Sequence, residues 1–350
     1  MAFLDNPAVA PGSTILVTGA NGFIGAHVAD QLLYQGYKVR GTVRDAVKHQ
    51  WLAQLFSQKY GPDKFELVTV KDMGEPGAFD TAVSGVSAIA HVASVRSMDV
   101  TPDELLQNTV AGMLACLEAA AKEPSVRRIV LTSSSAAVRS IQAYRTTDMV
   151  SSDEYDNQTL KLARNMPEDF MPMQKLVTAY FASKVATEQA FWNWMQNNKP
   201  HFTANTVLPC TVYGSPLDVA HQGFPSTSKI PLQVLDNEAV PVKHVQRFYY
   251  VHVQDVARLH VAALIHPDIA DERIFAYASP YSFNDFFDIF VKFVRNYKPP
   301  EKIPDIDFPL AEIGPRRRAE ALLKDLGSPG FVGLEETIVE SVQTRINACA

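Results

Sequence analysis

The sequence predicts an α/β fold, in which a doubly wound parallel sheet is followed by a smaller C-terminal lobe. The first observation is a glycine-rich turn at residues 18–25, which joins the apolar run of residues 14–17 to a helical pattern. The second is that strand-like and helix-like segments alternate five times before residue 132. Such alternation requires a parallel sheet with helices on both faces, and ligands of these sheets bind at the carboxyl ends of the strands.

The glycine-rich turn has the spacing of a dinucleotide-binding unit. Gly19 supplies the tight turn, Gly22 lets the backbone approach a pyrophosphate, and Gly25 lets the helix pack closely on the strand. The helix N-terminus adds unpaired N–H groups and a positive dipole end. We therefore predict a Rossmann-type sheet, the alternative being a tight connection that binds no ligand. The candidate cofactor-binding residues of this turn are Gly19, Asn21, Gly22, Phe23, Ile24 and Gly25.

The remaining elements follow in order along the chain. Residues 101–121 have the clearest helix start, because Thr101 can cap the helix and Pro102 fits its first position. Residues 136–175 lose any periodicity, and we predict there a long connection that shapes the mouth of a substrate site. The predicted helices are 23–35, 50–60, 101–121, 178–197, 253–264, 283–293 and 334–347, and the predicted strands are 14–17, 38–43, 65–70, 86–94, 127–132, 202–208, 247–251 and 274–277.

Two domains are predicted from this order. Residues 1–208 form the dinucleotide-binding domain, and residues 247–278 return to it. Residues 209–246 and 279–350 form a substrate-binding lobe, because prolines interrupt regular elements soon after residue 209.

Charge and cysteine content exclude several classes of protein. The formal net charge of -6 argues against a nucleic-acid partner, and the basic cluster at residues 316–318 is predicted to lie in solvent. Cys116, Cys210 and Cys349 are too scattered for a disulfide framework or a metal site, so we predict no metal and a reducing compartment. No basic leader or run of ~18 apolar residues occurs. We therefore predict a cytoplasmic protein with no membrane contact, as a monomer or homodimer.

Residues at the ends of three strands indicate which dinucleotide binds. An acidic side chain after the second strand would bind the ribose hydroxyls of NAD, whereas cations there suit the 2′-phosphate of NADP. Arg44 and Lys48 occupy this region, and the alternative is an arginine in solvent beside a helix start. Asp72 can accept a hydrogen bond from the adenine amino group. The other candidate cofactor contacts at strand ends are Met73, Val92, Ala93 and Ser94.

Tyr180 and Lys184 carry the predicted chemistry. They lie four residues apart, so they share one face of a helix. An ammonium stabilises a neighbouring phenolate, which lets a tyrosine exchange a proton with a carbonyl or alcohol oxygen. The serine run at residues 133–135 follows the fifth strand and can hold that oxygen. The alternative is a half-buried tyrosine beside a solvated lysine, but the ordered combination with the glycine turn and the cations favours catalysis.

The chain resembles the extended short-chain dehydrogenases/reductases, close to fungal NADPH-dependent aldehyde and ketone (carbonyl, methylglyoxal) reductases and dihydroflavonol reductase-like proteins. The resemblance covers nearly the whole chain. The stretches that carry it are residues 17–25, 36–44, 70–73, 130–134, 180–184, 208–214 and 250–256.

The resemblance implies a role for each matched residue. Tyr180 would be the general acid, Lys184 would bind the ribose hydroxyls and tune Tyr180, and Ser134 would polarise the carbonyl. Ser133 and Ser135 remain open as alternatives to Ser134. One departure is that many members have an asparagine where this chain has Thr109, with Asn108 one residue out of register, so no catalytic asparagine is assigned. The remaining cofactor contacts that it implies are Thr132, Tyr180, Pro209, Thr211 and Val212.

The predicted function is an NADPH-dependent reductase that transfers a hydride to an aldehyde or ketone. Two alternatives remain. One is a sugar-nucleotide epimerase or dehydratase that retains NAD, and the other is a non-catalytic NADP(H) sensor. Arg44 argues against the first and the intact catalytic residues argue against the second. Phe224, Tyr213, Met98 and Arg96 are predicted to face the substrate pocket, although each also fits the core or the surface.

Overall fold

The computed structural model describes residues 4–95, 101–238, 247–303 and 309–349. Its strands are β1 (Thr14–Thr18), β2 (Lys38–Val43), β3 (Phe65–Thr69), β4 (Ala88–His91), β5 (Arg128–Thr132), β6 (Met149–Val150), β7 (Thr203–Pro209), β8 (Thr211–Tyr213), β9 (Phe248–His252), β10 (Arg273–Ala276), β11 (Ser279–Tyr281) and β12 (Glu312–Ile313). Its helices are α1 (Phe23–Tyr34), α2 (Gln50–Tyr60), α3 (Asp80–Val83), α4 (Pro102–Lys122), α5 (Asn157–Arg164), α6 (Pro172–Asn198), α7 (Val219–Gln222), α8 (Ile230–Leu235), α9 (Val253–Ile265), α10 (Phe283–Phe293), α11 (Arg316–Asp325) and α12 (Leu334–Cys349).

The main sheet confirms the predicted doubly wound architecture. Within the described residues it has seven strands in the order β10-β7-β5-β4-β1-β2-β3, and every pair is parallel. Strand order reverses on either side of β1, where Thr18 is paired with Thr42 of β2 and with His91 of β4. In such sheets the crevice for a ligand opens at this reversal, beyond the carboxyl ends of the strands.

The core lies on both faces of this sheet. Ile15 and Val17 pack in one cluster with residues of α1 and α9, whereas Leu16 packs in a second cluster with α4 and α6. All three side chains are completely buried. Successive residues of a strand point to opposite faces, so a strand covered on both sides must be apolar throughout.

A second group of elements packs beside the carboxyl ends of the main sheet. β8, β9 and β11 form a small sheet, and β6 pairs with β12. The predicted strand at residues 247–251 thus belongs to the small sheet as β9, whereas the predicted return of residues 274–277 to the main sheet is confirmed, because β10 pairs with β7. Tyr213 of β8 lies in an aromatic cluster with Tyr281 and Phe286.

The predicted long connection over residues 136–175 is largely irregular, but it contains short elements that the sequence did not indicate. The structure has β6 and α5 in this stretch, and α6 begins at Pro172 rather than near residue 178. The backbone N–H of Met171 donates to Gln174 Oε1 at 2.9 Å, which caps the helix start. Met173 and Val177 in its first turns are exposed, so these apolar residues do not mark a buried face.

Smaller corrections concern strand ends and the basic cluster. β4 ends at His91 rather than at residue 94, and β7 extends through Pro209, whose carbonyl side can still pair. The prediction that the basic cluster lies in solvent is wrong for two of its residues. Arg316 donates to the carbonyl of Ala278, and Arg318 donates twice to Glu272.

None of the helices in the part of the chain that the structure describes is both long and apolar enough to cross a membrane.

Candidate active site

The glycine turn is closed tightly against the end of β4. Gly19 has a φ of +65°, and a Cβ placed on it would lie 3.1 Å from the Cα of Ala93. A Cβ on Gly25 would lie 2.3 Å from the carbonyl oxygen of Gly19, so no side chain fits there. Thr18 Oγ1 accepts hydrogen bonds from the N–H groups of Val92 (3.0 Å) and Ala93 (2.9 Å). The glycine turn and residues 92–93 are therefore held against each other by close backbone packing and two hydrogen bonds.

The start of α1 is open to an anion. The helix has no side-chain cap hydrogen bond and no acidic residue in its first turn. Gly22 occupies the N-cap position, and its own N–H donates to Gly19 O at 2.9 Å. Helix N-termini of this kind bind phosphate groups through their N–H groups and dipole. The glycine cradle and the uncapped helix therefore fit the pyrophosphate of a dinucleotide.

The predicted cations lie after β2 with exposed side chains. Among the described residues neither Arg44 nor Lys48 makes an ion pair. The acid between them, Asp45, accepts hydrogen bonds through Oδ1 from the backbone N–H groups of Val47 and Lys48. Asp45 thus shapes the turn, and the region remains suited to a phosphate.

The two predicted contacts after β3 differ in their surroundings. Asp72 is exposed, and its Oδ1 accepts a hydrogen bond from Gly74 N at 2.8 Å. Met73 packs against α4, since a Cβ on Gly112 would lie 2.6 Å from Met73 Cγ. Ser94 is exposed beyond the end of β4.

Asn21 has partners that the sequence did not indicate. Its Nδ2 donates to His49 Nε2 at 3.2 Å, and its carbonyl accepts from Gln222 Nε2 at 3.2 Å. Burial, together with the charge of Lys48, lowers the pKa of His49. Helix α7 therefore touches the glycine turn directly.

The predicted catalytic pair projects from α6. Tyr180 is 38% exposed, whereas Lys184 is only 9% exposed and its Nζ donates to the carbonyl of Thr132 at 3.4 Å. The charge of Lys184 also acts on His91 at the end of β4. Burial, and then this charge, lower the pKa of His91 to about 4. The ammonium is thus held at the carboxyl ends of β4 and β5, while the phenol remains accessible.

Thr132 has its hydroxyl turned away from this pair. His260 Nδ1 donates to the carbonyl of Val256 at 2.8 Å, so its Nε2 accepts from Thr132 Oγ1 at 2.7 Å. Burial lowers the pKa of His260 to about 4, which favours this neutral form. The carbonyl of Thr132 is therefore the group that meets Lys184.

The three serines after β5 have different hydrogen-bond partners. Ser133 Oγ donates to Glu188 Oε2 at 2.7 Å. Ser134 Oγ accepts from Ala136 N at 3.1 Å, so its own O–H is left to donate elsewhere. Ser135 is half-buried, and its carbonyl accepts from the hydroxyl of Tyr144 at 3.2 Å. These partners distinguish side chains that are identical in the sequence.

The end of β7 and strand β8 carry three of the predicted cofactor contacts. Pro209 ends β7 opposite Ala276, and Thr211 and Val212 lie in β8. Thr211 is half-buried and Val212 is buried.

The residues predicted to face the substrate pocket differ in their burial in the structure. Tyr213 does not line an open pocket, because it is completely buried and its hydroxyl bonds to that of Tyr281 at 2.5 Å. Phe224 is half-buried against the same aromatic cluster. Arg96 and Met98 lie outside the described residues.

Thr109 cannot take the role of the missing asparagine. It is buried in α4, and its hydroxyl donates to the carbonyl of Leu105 at 2.7 Å. Asn108 is exposed on the helix.

The predicted start of α4 is confirmed, since Thr101 and Glu104 form a reciprocal cap.

Residues 15–276 match the model of the NAD dependent epimerase/dehydratase family. The chain belongs to this family. The resemblance to extended short-chain dehydrogenases/reductases is thereby confirmed, and so is the Rossmann-type sheet.

Relatives within the epimerase/dehydratase family span the whole chain. Aldehyde reductase 2 of Sporidiobolus salmonicolor is 37% identical over 345 residues, covering 98% of each chain. Ketoreductase adrE of Penicillium rubens is 35% identical, covering 97% of this chain and 98% of the relative. The structure of Gre2 from Candida albicans in complex with NADPH superposes with a TM-score of 0.81 at 25% identity, covering 97% of this chain and 100% of that one. These relatives favour the reductase prediction over the epimerase alternative.

Sequence reasoning missed Glu188 and Arg273. Glu188 is completely buried and Arg273 Nε donates to it at 2.7 Å. The available signal was a carboxylate four residues after Lys184, on the face of α6 that carries the predicted catalytic pair. Its partner lies 85 residues further along the chain, which no local pattern reveals.

Proposed function

We propose that this protein is an NADPH-dependent reductase that converts an aldehyde or ketone to an alcohol. The observation that carries the proposal is the convergence of three groups at the end of β5. Lys184 donates to Thr132, Ser134 follows two residues later with a free O–H, and Tyr180 shares the face of Lys184 with its ring accessible. These groups suit an oxygen atom on which negative charge develops.

Each residue has one role in the proposed reaction. The nicotinamide cofactor, when bound, supplies the hydride that adds to the carbonyl carbon. Tyr180 donates its hydroxyl proton to the carbonyl oxygen, and Ser134 donates a hydrogen bond to the same oxygen. Lys184 stabilises the tyrosine as it loses the proton and binds the ribose hydroxyls. The remaining proposed cofactor contacts are those named at the glycine turn, at the ends of β2, β3, β4, β5 and β7, and in β8.

The direct test is consumption of NADPH with a panel of aldehydes, α-ketoesters, diketones and aryl ketones. The proposal predicts loss of NADPH and formation of one equivalent of alcohol with at least one class, and slower loss of NADH. If the purified protein instead releases NAD on denaturation and consumes no added cofactor, the epimerase alternative is correct.

Arg44 is proposed to select NADPH by binding the 2′-phosphate. Arg44→Ala should raise the KM for NADPH by about 5–10-fold and leave the KM for NADH unchanged, because an exposed charged hydrogen bond contributes about 1–1.5 kcal/mol. The matched control is Arg127→Ala, an exposed arginine just before β5 at the amino edge of the sheet. Steady-state kinetics with both cofactors measures the effect, and an equal change in both KM values would contradict the assignment.

Location, assembly and domain roles complete the proposal. Cys116 and Cys210 are free thiols, which supports a cytoplasmic location. We propose a monomer or homodimer, to be measured by light scattering, and assign substrate binding to residues 209–246 and 279–350.

A further inference from the structure

One face of α6 carries three functional groups in succession. Tyr180, Lys184 and Glu188 are spaced by four residues, so they lie one above another. Their exposed fractions fall from 38% through 9% to 0%. The face therefore runs from an accessible phenol to a carboxylate that solvent does not reach.

Glu188 has hydrogen-bond donors for both of its oxygens. Oε1 accepts from Thr206 Oγ1 at 3.0 Å and from Arg273 Nε at 2.7 Å. Oε2 accepts from Ser133 Oγ at 2.7 Å and from Arg273 Nη2 at 3.1 Å. A buried carboxylate needs such compensation, because leaving it unpaired is strongly destabilising. The carboxylate is thus fixed in position.

Arg273 is itself held in place. Its guanidinium lies 4.1 Å from the ring centre of Tyr155, and its Nη1 donates to the carbonyl of Glu154 at 2.9 Å. The arginine comes from β10, so the pair fastens α6 to the edge of the main sheet. A planar bidentate contact of this kind fixes orientation as well as distance.

Residues 132–135, called here the serine segment, are attached to α6 at two points one helical turn apart. Lys184 holds the carbonyl of Thr132, and Glu188 holds the hydroxyl of Ser133. Ser134 follows immediately, and the hydrogen bond of its own hydroxyl is with the N–H of Ala136 rather than with a residue of α6. Its position relative to Tyr180 therefore depends on its neighbours.

We propose that Glu188 is a positioning residue, which sets Ser134 relative to Tyr180 by holding Ser133. This inference rests on the proposed reductase function. It assigns the Ser133 hydroxyl to the carboxylate rather than to the substrate. A displacement of the oxygen-binding serine by a fraction of an ångström then lowers the rate of the chemical step rather than cofactor binding.

Two single-hydroxyl variants test the proposal, because each removes one hydrogen bond from the same carboxylate. Ser133→Ala removes the bond to the serine segment, whereas Thr206→Val removes the bond to β7 and leaves the segment untouched. Both should lower the melting temperature by a similar, small amount. Ser133→Ala should lower kcat about tenfold with an unchanged Kd for NADPH, measured by fluorescence titration, while Thr206→Val should keep kcat within about twofold of wild type.

Glu188→Gln distinguishes the effect of the hydrogen bond between Ser133 and Glu188 from the effect of removing the Ser133 hydroxyl. It retains Ser133 but weakens its anchor, and it should lower kcat by at least as much as Ser133→Ala. The inference is overturned if Ser133→Ala and Thr206→Val have equal kcat, if the loss lies in NADPH affinity, or if Ser133→Ala is as inactive as Ser134→Ala. Absence of turnover in the wild type with every carbonyl would contradict the proposed function first, and this inference with it.

Discussion

Replacement of Tyr180 by phenylalanine is expected to lower kcat by about 10²–10⁴-fold, the range for loss of a general acid. The variant retains the ring and its edge contact with Phe181 at 6.0 Å, and it loses only the proton donor. Lys184 and Ser134 keep their own partners, so they remain in place. NADPH affinity should therefore change little, and the measurement is kcat together with the Kd for NADPH.

Tyr297→Phe is the matched control for this substitution. The hydroxyl of Tyr297 is buried and has no hydrogen-bond partner among the described residues, so its removal breaks nothing. Its kcat should equal that of the wild type. Turnover of Tyr180→Phe at the rate of this control would mean that another group protonates the substrate.

Gly25→Ala is expected to weaken NADPH binding by about 10–100-fold. The added Cβ would lie 2.3 Å from Gly19 O and 3.2 Å from Ala20 Cα, both backbone atoms that cannot rotate away. Relief of such a clash moves α1 or the turn, at a cost of about 1–3 kcal/mol, and tenfold in affinity corresponds to about 1.4 kcal/mol. Isothermal titration with NADPH and denaturant unfolding measure the two effects.

Gly333→Ala serves as the control for the glycine substitution. Gly333 is exposed, and a Cβ placed on it meets no atom within 4 Å. Its affinity for NADPH and its free energy of unfolding should match those of the wild type. If Gly25→Ala also binds NADPH normally, the glycine turn does not bind the pyrophosphate in the way proposed here.

Local patterns were sufficient to predict the main sheet and its glycine turn. β1 and β5 contain short apolar runs, and α4 has a clear start at Thr101, which forms a reciprocal cap with Glu104. The turn is constrained by backbone contacts within a few residues, such as that between Gly25 and Gly19. Local sequence carries this information directly.

The features that escaped prediction depend on contacts between distant residues. The start of α6 was missed, and its first turns are held at the surface, where Met173 and Val177 are exposed. Ser133 and Ser134 are alike in the sequence and differ only in their partners, Glu188 and the N–H of Ala136. Pairings of this kind exist only once the chain is folded.

The central claim is that hydride passes from NADPH to a carbonyl carbon while Tyr180 protonates the oxygen. The most direct measurement uses NADPH that carries deuterium at both C4 positions of the nicotinamide, with mass spectrometry of the product. The account predicts an alcohol with one deuterium on the carbinol carbon, formed by the wild type and about 10²–10⁴-fold more slowly by Tyr180→Phe. Product without deuterium, or no product from any carbonyl although NADPH binds, would contradict it.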